Sequence, residues 1–64
     1  MTPELNEHIL TLAEFYRLHF EAKNLTDSGD ALNSAEAFQK SLIKKFGKDY
    51  AKQVDQAAYA LAHG

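Results

Sequence analysis

The chain has 64 residues, with 7 basic and 9 acidic side chains, a formal net charge of −2 and no cysteine. A chain of this length builds one small domain at most, and the lack of cysteine excludes a disulfide framework, a thiolate zinc site and a cysteine nucleophile. Hydrophobic residues make up 45% and charged residues 25% of the sequence, as in globular rather than disordered proteins. We therefore expect a single domain over residues 1–64.

The first predicted helix covers residues 3–23. Thr2 is a suitable N-cap residue, and Pro3 fits the first position inside a helix. At 100° per residue, one arc of this helix about 100° wide contains the apolar side chains Leu5, Ile9, Leu12, Ala13, Tyr16 and Phe20. This spacing is typical of an amphipathic helix that buries one face.

The second and third helices are predicted over residues 30–46 and 50–62. Turn-forming residues precede helix 2, and Leu25 among them is expected to reach into the core. Gly47 ends helix 2 and Asp49 caps helix 3, so a connection of about three residues makes the two helices spatial neighbours. No segment alternates apolar and polar residues with a period of two. The predicted fold class is all-α, a compact three-helix domain.

The large apolar side chains on the inner faces of these helices form the predicted core. They are Leu5, Ile9, Leu12, Tyr16, Phe20, Leu25, Leu32, Phe38, Leu42, Phe46, Val54 and Leu61. We expect a domain this small to have no cleft of about 300 Å³ or more. The sequence also has no Gly-x-Ser-x-Gly elbow and no phosphate-binding glycine loop, so we predict that the protein is not an enzyme and binds no cofactor.

Neither a metal site nor a targeting segment is predicted. His8 and His19 lie about 16 Å apart along helix 1, too far to bind the same ion. No run reaches the roughly 18 apolar residues of a membrane span, and the residues after Met1 lack the basic and apolar regions of a secretory signal. We expect a cytoplasmic protein with no membrane partner, and Met1 favours a complete chain over an excised domain.

Helix 1 also carries apolar and acidic residues outside its inner arc. Three glutamates recur every seven residues, and three apolar side chains lie beside them on a surface that two short helices do not cover. We interpret this surface as the site that binds another protein or a second copy of the chain, as in a homodimer. It comprises Glu7, Leu10, Glu14, Phe15, Leu18 and Glu21. The alternative is that the leucines are ordinary exposed residues, which occur on most proteins.

Charge is divided unevenly between the two halves of the sequence. Residues 1–36 contain seven acids and two bases, whereas residues 37–64 contain two acids and five bases. The five bases are Lys40, Lys44, Lys45, Lys48 and Lys52. In one interpretation, these lysines contact the phosphates of a nucleic acid. In the alternative, they only form a charged face that is exposed to solvent. In a third interpretation, the acidic half meets the lysines of a second copy, head to tail, in a larger assembly.

These patterns favour a small non-enzymatic protein that acts through protein–protein interaction or regulation, with helix 1 as the binding surface. The alternative is an accessory protein that binds nucleic acid through the lysine cluster. The net charge of −2 favours the first function, because chains that coat nucleic acid are usually basic.

Overall fold

The computed structural model describes residues 3–64, which form three α-helices joined by connections of three residues and one residue. Helix α1 spans Pro3–Glu21, α2 spans Leu25–Phe46 and α3 spans Lys48–His63. The prediction of an all-α three-helix domain is confirmed, and no strand occurs in the described part of the chain. The predicted N-cap Thr2 lies outside the described residues.

Contacts between aromatic rings define the relative directions of the helices. Near the start of α1, His8 contacts Phe46 at the end of α2 and Tyr50 at the start of α3, with ring centroids 5.3 and 5.8 Å apart. Near the end of α1, Phe20 contacts His63 at the end of α3 at 5.0 Å. Helices α1 and α3 therefore run in the same general direction, and α2 runs against both. The domain measures 34 × 24 × 15 Å and so has two distinct ends.

Helix α2 begins at Leu25 and not at residue 30, where the prediction placed its start. Asn24 is its N-cap. The Asn24 side-chain oxygen accepts a hydrogen bond from the Asp27 backbone N–H at 2.8 Å, and the Asn24 amide donates to the Asp27 carboxylate at 3.1 Å. This pair resembles a capping box and satisfies an N–H group that has no partner inside the helix. Leu25 takes the first helical position and is 91% exposed, so its predicted role as a core anchor is wrong.

Gly47 alone connects α2 to α3. The prediction that Gly47 ends helix 2 is confirmed, but α3 begins at Lys48, so the predicted cap at Asp49 is wrong. The Gly47 φ angle of +97° is a conformation that residues with a Cβ rarely adopt, which explains the glycine at this turn. The Gly47 N–H donates to the Ile43 carbonyl at 2.9 Å, and the Gly47 carbonyl accepts from the Ala51 N–H at 3.2 Å.

Alanine contributes half of the buried core. The buried hydrophobic residues are Ile9, Leu12, Ala13, Tyr16, Ala31, Ala35, Leu42, Ala51, Val54 and Ala58. Leu5 and Phe38 pack against this core from its edge. Five other predicted core residues lie outside it. Leu25 is 91% exposed, and the other four, which are 37–44% exposed, are Phe20, Leu32, Phe46 and Leu61. Because an alanine side chain ends at Cβ, the helices approach closely where alanines meet, and larger side chains are left at the periphery.

A hydrogen-bonded cluster made of one residue from each helix lies beside this core. The Tyr16 hydroxyl of α1 donates to the Asp55 carboxylate of α3. The Gln39 side chain of α2 donates to both, with Nε2 2.6 Å from the Tyr16 hydroxyl and 2.5 Å from Asp55 Oδ1. Burial and the adjacent Asp55 carboxylate raise the pKa of Tyr16 to about 12. The cluster satisfies the polar groups at the helix junction and links the three helices.

We expect the stabilising effect of the Tyr16 hydroxyl to disappear at alkaline pH. Its pKa rises from an ordinary value of 10.0 to about 12 on folding, so the folded state holds the proton more tightly. The contribution is complete below pH 10.0 and is lost as the pH rises towards 12. The substitution Tyr16→Phe should lower the free energy of unfolding by about 1 kcal/mol near neutral pH. Urea unfolding at a series of pH values should show this difference narrowing above pH 10.0; a constant difference would contradict the role of the hydroxyl.

Candidate protein-binding groove

The second half of α1 and the first half of α2 form an open groove with a volume of about 620 Å³, which we call the α1/α2 groove. Its apolar lining consists of Phe15 and Leu18 of α1, Ala22 just after α1, and Ala31 of α2. The expectation that the domain has no room for a cleft is wrong. The small side chains of Ala22 and Ala31 leave space between the helices that a larger residue would fill.

Three exposed carboxylates line the same groove and make it negatively charged. Glu21 is the last residue of α1, and Asp27 and Asp30 lie in the first two turns of α2. Lys23 is the one basic side chain among the lining residues, so the formal charge of the lining is −2. None of the three carboxylates forms a salt bridge with another residue of the described chain. The groove therefore combines an apolar surface with negative charge that is available to a partner.

Of the six α1 residues predicted to bind a partner, three line the groove and three do not. Those that line it are Phe15, Leu18 and Glu21. Those outside it are Glu7, Leu10 and Glu14. At 100° per residue, the side chains of Leu10 and Leu18 point about 80° apart, so Leu10 lies on a different side of α1 from the groove.

The predicted residues outside the groove lie on an exposed face of α1. Leu10 is 52% exposed, and Glu7 is also exposed. Glu14 Oε2 lies 3.7 Å from Arg17 Nη1, in a pair whose side chains are 61% and 47% exposed. An exposed ion pair contributes at most about 1 kcal/mol, so it does not prevent Glu14 from contacting a partner.

Phe15 is less accessible than its place on the predicted surface implies. Its ring contacts Phe38 of α2 edge to face, with a centroid separation of 6.1 Å, and the side chain is half-buried. Leu18 is 49% exposed, so Leu18 is the main apolar side chain of the groove that a partner can reach.

The α2 side of the groove was missed by the sequence prediction. The predicted start of helix 2 at residue 30 left Asp27 in the preceding turn and put Asp30 at the first position of the helix, whereas α2 begins at Leu25. The signal for the earlier start was Asn24 followed three residues later by Asp27, which is the spacing of an N-cap and the N3 acid that pairs with it. Ala31 and Ser34, which the prediction already placed in helix 2, line the groove as well.

Two of the histidines pack between helices at opposite ends of the domain. His8 packs against rings of α2 and α3, and His8 Nδ1 lies 2.8 Å from the Tyr50 hydroxyl. His19 Nδ1 lies 2.8 Å from the Ser28 hydroxyl and links the end of α1 to the start of α2. Over residues 3–64, no group of three or more His, Cys, Asp or Glu side chains is arranged to hold a metal ion.

The five lysines predicted to contact phosphate are all exposed. They lie in the second half of α2 and the first turns of α3, away from the α1/α2 groove. Lys48 and Lys52 line a second, smaller depression of about 220 Å³ together with Ile43, which is 41% exposed. No salt bridge within the described residues involves any of the five lysines.

No protein-family profile matches the chain, and no curated protein or solved structure shows significant similarity to it. None of the three helices in residues 3–64 combines the length and apolar character needed to cross a membrane. The α1/α2 groove and the exposed lysines are the surfaces that remain as candidates for a function.

We expect the double substitution Leu10→Glu with Leu18→Glu to leave the three-helix fold intact, because about half of each side chain is already in water. The matched control is Leu12→Ala on the same helix. Leu12 is 0% exposed, so its truncation should lower the free energy of unfolding by about 3 kcal/mol. Far-UV circular dichroism and urea unfolding measure both effects. Loss of helical structure in the double variant would show that the two leucines belong to the core and would exclude them from a binding site.

Proposed function

We propose that the protein is a small, non-enzymatic protein–protein interaction or regulatory module that binds its partner through the surface of α1, centred on the α1/α2 groove. The α1 residues that contact the partner in this proposal are Glu7, Leu10, Glu14, Phe15, Leu18 and Glu21. The groove receives an apolar side chain of the partner, and basic groups of the partner pair with the surrounding carboxylates.

The observation that carries this proposal is the exposed Leu18 in a groove bordered by carboxylates. Covering apolar surface contributes roughly 25 cal/mol for each Å² removed from water, so a partner that covers Leu18 gains binding energy. Glu21 and Asp30 form no salt bridge within residues 3–64, so a basic partner adds charge pairs without breaking existing ones. A basic amphipathic helix has both of the required properties.

The length of the groove suits a short helical contact. Along α1 and the residue that follows it, the groove extends from Phe15 to Ala22, which is about 10 Å or two helical turns. Two turns of a docked helix present one or two apolar side chains at spacings of three or four residues. A contact of this size is small by the standards of protein interfaces, which suits reversible binding.

We further propose that the module catalyses no reaction and acts in the cytoplasm. The groove is open and its carboxylates are exposed, whereas catalytic sites usually exclude water from the reacting groups. The lack of cysteine in the sequence is compatible with a reducing compartment.

A titration with two synthetic peptides tests the groove as a binding site. The probe is a helical peptide of about 18 residues built from leucine and lysine, and the control peptide has glutamate in place of every lysine. Amide chemical shifts of the labelled protein should change around the groove with the lysine peptide and not with the glutamate peptide. We expect Leu18→Ala to weaken the binding about tenfold, because the peptide then covers less apolar surface.

The matched control for this substitution is Leu61→Ala, since Leu61 is 44% exposed but lies on α3. It should bind the lysine peptide as strongly as the unmodified protein. Equal binding of both peptides, or binding that Leu18→Ala leaves unchanged, would contradict the proposed site.

A second candidate function is the binding of nucleic acid through the lysine cluster. Its supporting observation is that all five lysines are exposed and form no salt bridge with the rest of the described chain. They are Lys40, Lys44, Lys45, Lys48 and Lys52. The cluster contains no arginine, which is the usual reader of base edges, so the contacts would be to phosphates and independent of base sequence.

To test this second function, we would measure the binding of labelled duplex and single-stranded nucleic acid at about 50 and about 200 mM salt. Contacts to between three and five phosphates should give a slope of log K against log salt of about −3 to −4.5 for a duplex. The substitutions Lys44→Glu and Lys48→Glu together should abolish binding, whereas Lys23→Glu outside the cluster should have a smaller effect. Absence of binding at the lower salt concentration would exclude nucleic acid as the partner.

A further inference from the structure

We propose that the partner of the α1/α2 groove is a second copy of this chain, which packs its basic end against the groove so that copies join head to tail. The basic end is the surface formed by Ile43, Lys48 and Lys52 where α2 meets α3. The inference rests on the proposed function, because it names the occupant of the same groove.

The basic end carries the charge and the apolar side chain that the groove requires. Ile43 is 41% exposed and shares one depression with Lys48 and Lys52. The depression is also lined by Asp55, so its formal charge is +1, and the two lysines supply the positive charge beside the apolar side chain. The groove has the opposite charge around the exposed Leu18, supplied in part by Glu21. Apolar contact and charge pairing are therefore satisfied together when the two surfaces meet.

Helix stability does not explain two of the charges on these surfaces. The N-terminus of a helix carries a partial positive charge and the C-terminus a partial negative charge. Lys48 is the first residue of α3 and Glu21 is the last residue of α1. Each therefore lies at the helix end where the dipole of its own helix disfavours its charge. By contrast, Asp27 at the start of α2 and Lys45 near its end match the dipole of α2. Lys48 and Glu21 gain a favourable partner when copies meet head to tail.

The two surfaces are different and lie at opposite ends of the domain. The groove lies where α1 ends and α2 begins, and the basic end lies where α2 ends and α3 begins. Because the two surfaces lie at opposite ends, a linear head-to-tail contact leaves one groove and one basic end free in each complex. The association therefore continues beyond a dimer, and the average length of the chain of copies grows with protein concentration.

The contact is weak and sensitive to salt. Stable interfaces involve roughly 20 to 30 residues on each side, whereas the groove is lined by ten. Much of the attraction acts between exposed charges, and the range of such forces falls from about 30 Å at 0.01 M salt to about 3 Å at 1 M. Assembly is therefore expected at high protein concentration and low ionic strength.

Sedimentation equilibrium of the full chain from about 50 µM to about 2 mM measures this association. At about 0.02 M salt, the weight-average mass should exceed the 7.2 kDa of one chain and rise with concentration without a plateau at the dimer. At about 0.5 M salt, the mass should return towards that of one chain.

Two double variants test the groove and the basic end independently. Glu21→Gln with Asp30→Asn neutralises the groove, and Lys48→Gln with Lys52→Gln neutralises the basic end. Each variant alone should stay monomeric where the unmodified protein associates. An equimolar mixture should form a 1:1 complex and nothing larger, because the mixture supplies one intact groove and one intact basic end.

Two controls separate this contact from general effects of charge and stability. Glu4→Gln with Glu36→Gln removes the same charge at exposed residues that line neither surface, and this variant should associate like the unmodified protein. In dilute protein, Glu21→Gln and Lys48→Gln should leave the midpoint of thermal unfolding unchanged or raised, because each removes a charge that its own helix disfavours.

Three results would each overturn the head-to-tail contact. They are a mass that stays at that of one chain at low salt, a mass that reaches a plateau at the dimer, and a failure of the two variants to associate when they are mixed. If the leucine–lysine peptide still binds the groove in that case, the groove serves a different protein and the proposed function stands. If the peptide fails to bind as well, both proposals are wrong.

Discussion

The arrangement of the three helices depends on the cluster of Tyr16, Gln39 and Asp55, because each helix supplies one member. If α3 slid by one turn, the Asp55 carboxylate would lose both donors, and an unpaired carboxylate at a helix junction is costly. The surrounding apolar contacts select the register less strongly, since alanine and leucine side chains pack acceptably in several arrangements. The cluster therefore sets the register of the helices, and the alanines around it allow the helices to approach closely.

Close packing on alanine also determines what the surface looks like. Large side chains such as Phe20, Phe46 and Tyr59 do not fit between closely spaced helices, and each keeps 41–47% of its surface exposed while packing against other rings. At Ala22 and Ala31 the small side chains leave the α1/α2 groove unfilled. The feature that brings the helices together thus also produces the exposed apolar surface on which the proposed binding depends.

The fold class was predictable because its signals are local. The apolar period of α1 and the stop at Gly47 are both read from neighbouring residues. The start of α2 was harder to predict, because several residues in the preceding segment can cap a helix. The spacing of Asn24 and Asp27 is one of several such signals, and the hydrogen bonds between these two residues identify it as the one that is used. The exposure of Leu18 follows from the pattern of α1, but the groove beside it does not. The α2 side of the groove depends on how the two helices are rotated relative to one another, and so does the contact of Gln39 with Tyr16. The spacing of residues within one helix does not specify this rotation.

Glu21 and Lys48 are charges that the dipoles of their own helices do not explain. In an up-down-up arrangement, the start of α2 lies beside the ends of α1 and α3, so helices that all obeyed the dipole rule would place both signs of charge at each end of the domain. Glu4 and Asp49 follow this rule in the first turns of α1 and α3. Two other charges do not, because Glu21 at the end of α1 has the sign of the acids that begin α2, and Lys48 at the start of α3 has the sign of the lysines that end α2. Each therefore adds like charge to its neighbours and also opposes its own helix dipole. A group of opposite charge from outside the domain reduces both costs, which is the physical reason to connect Glu21 and Lys48 with binding.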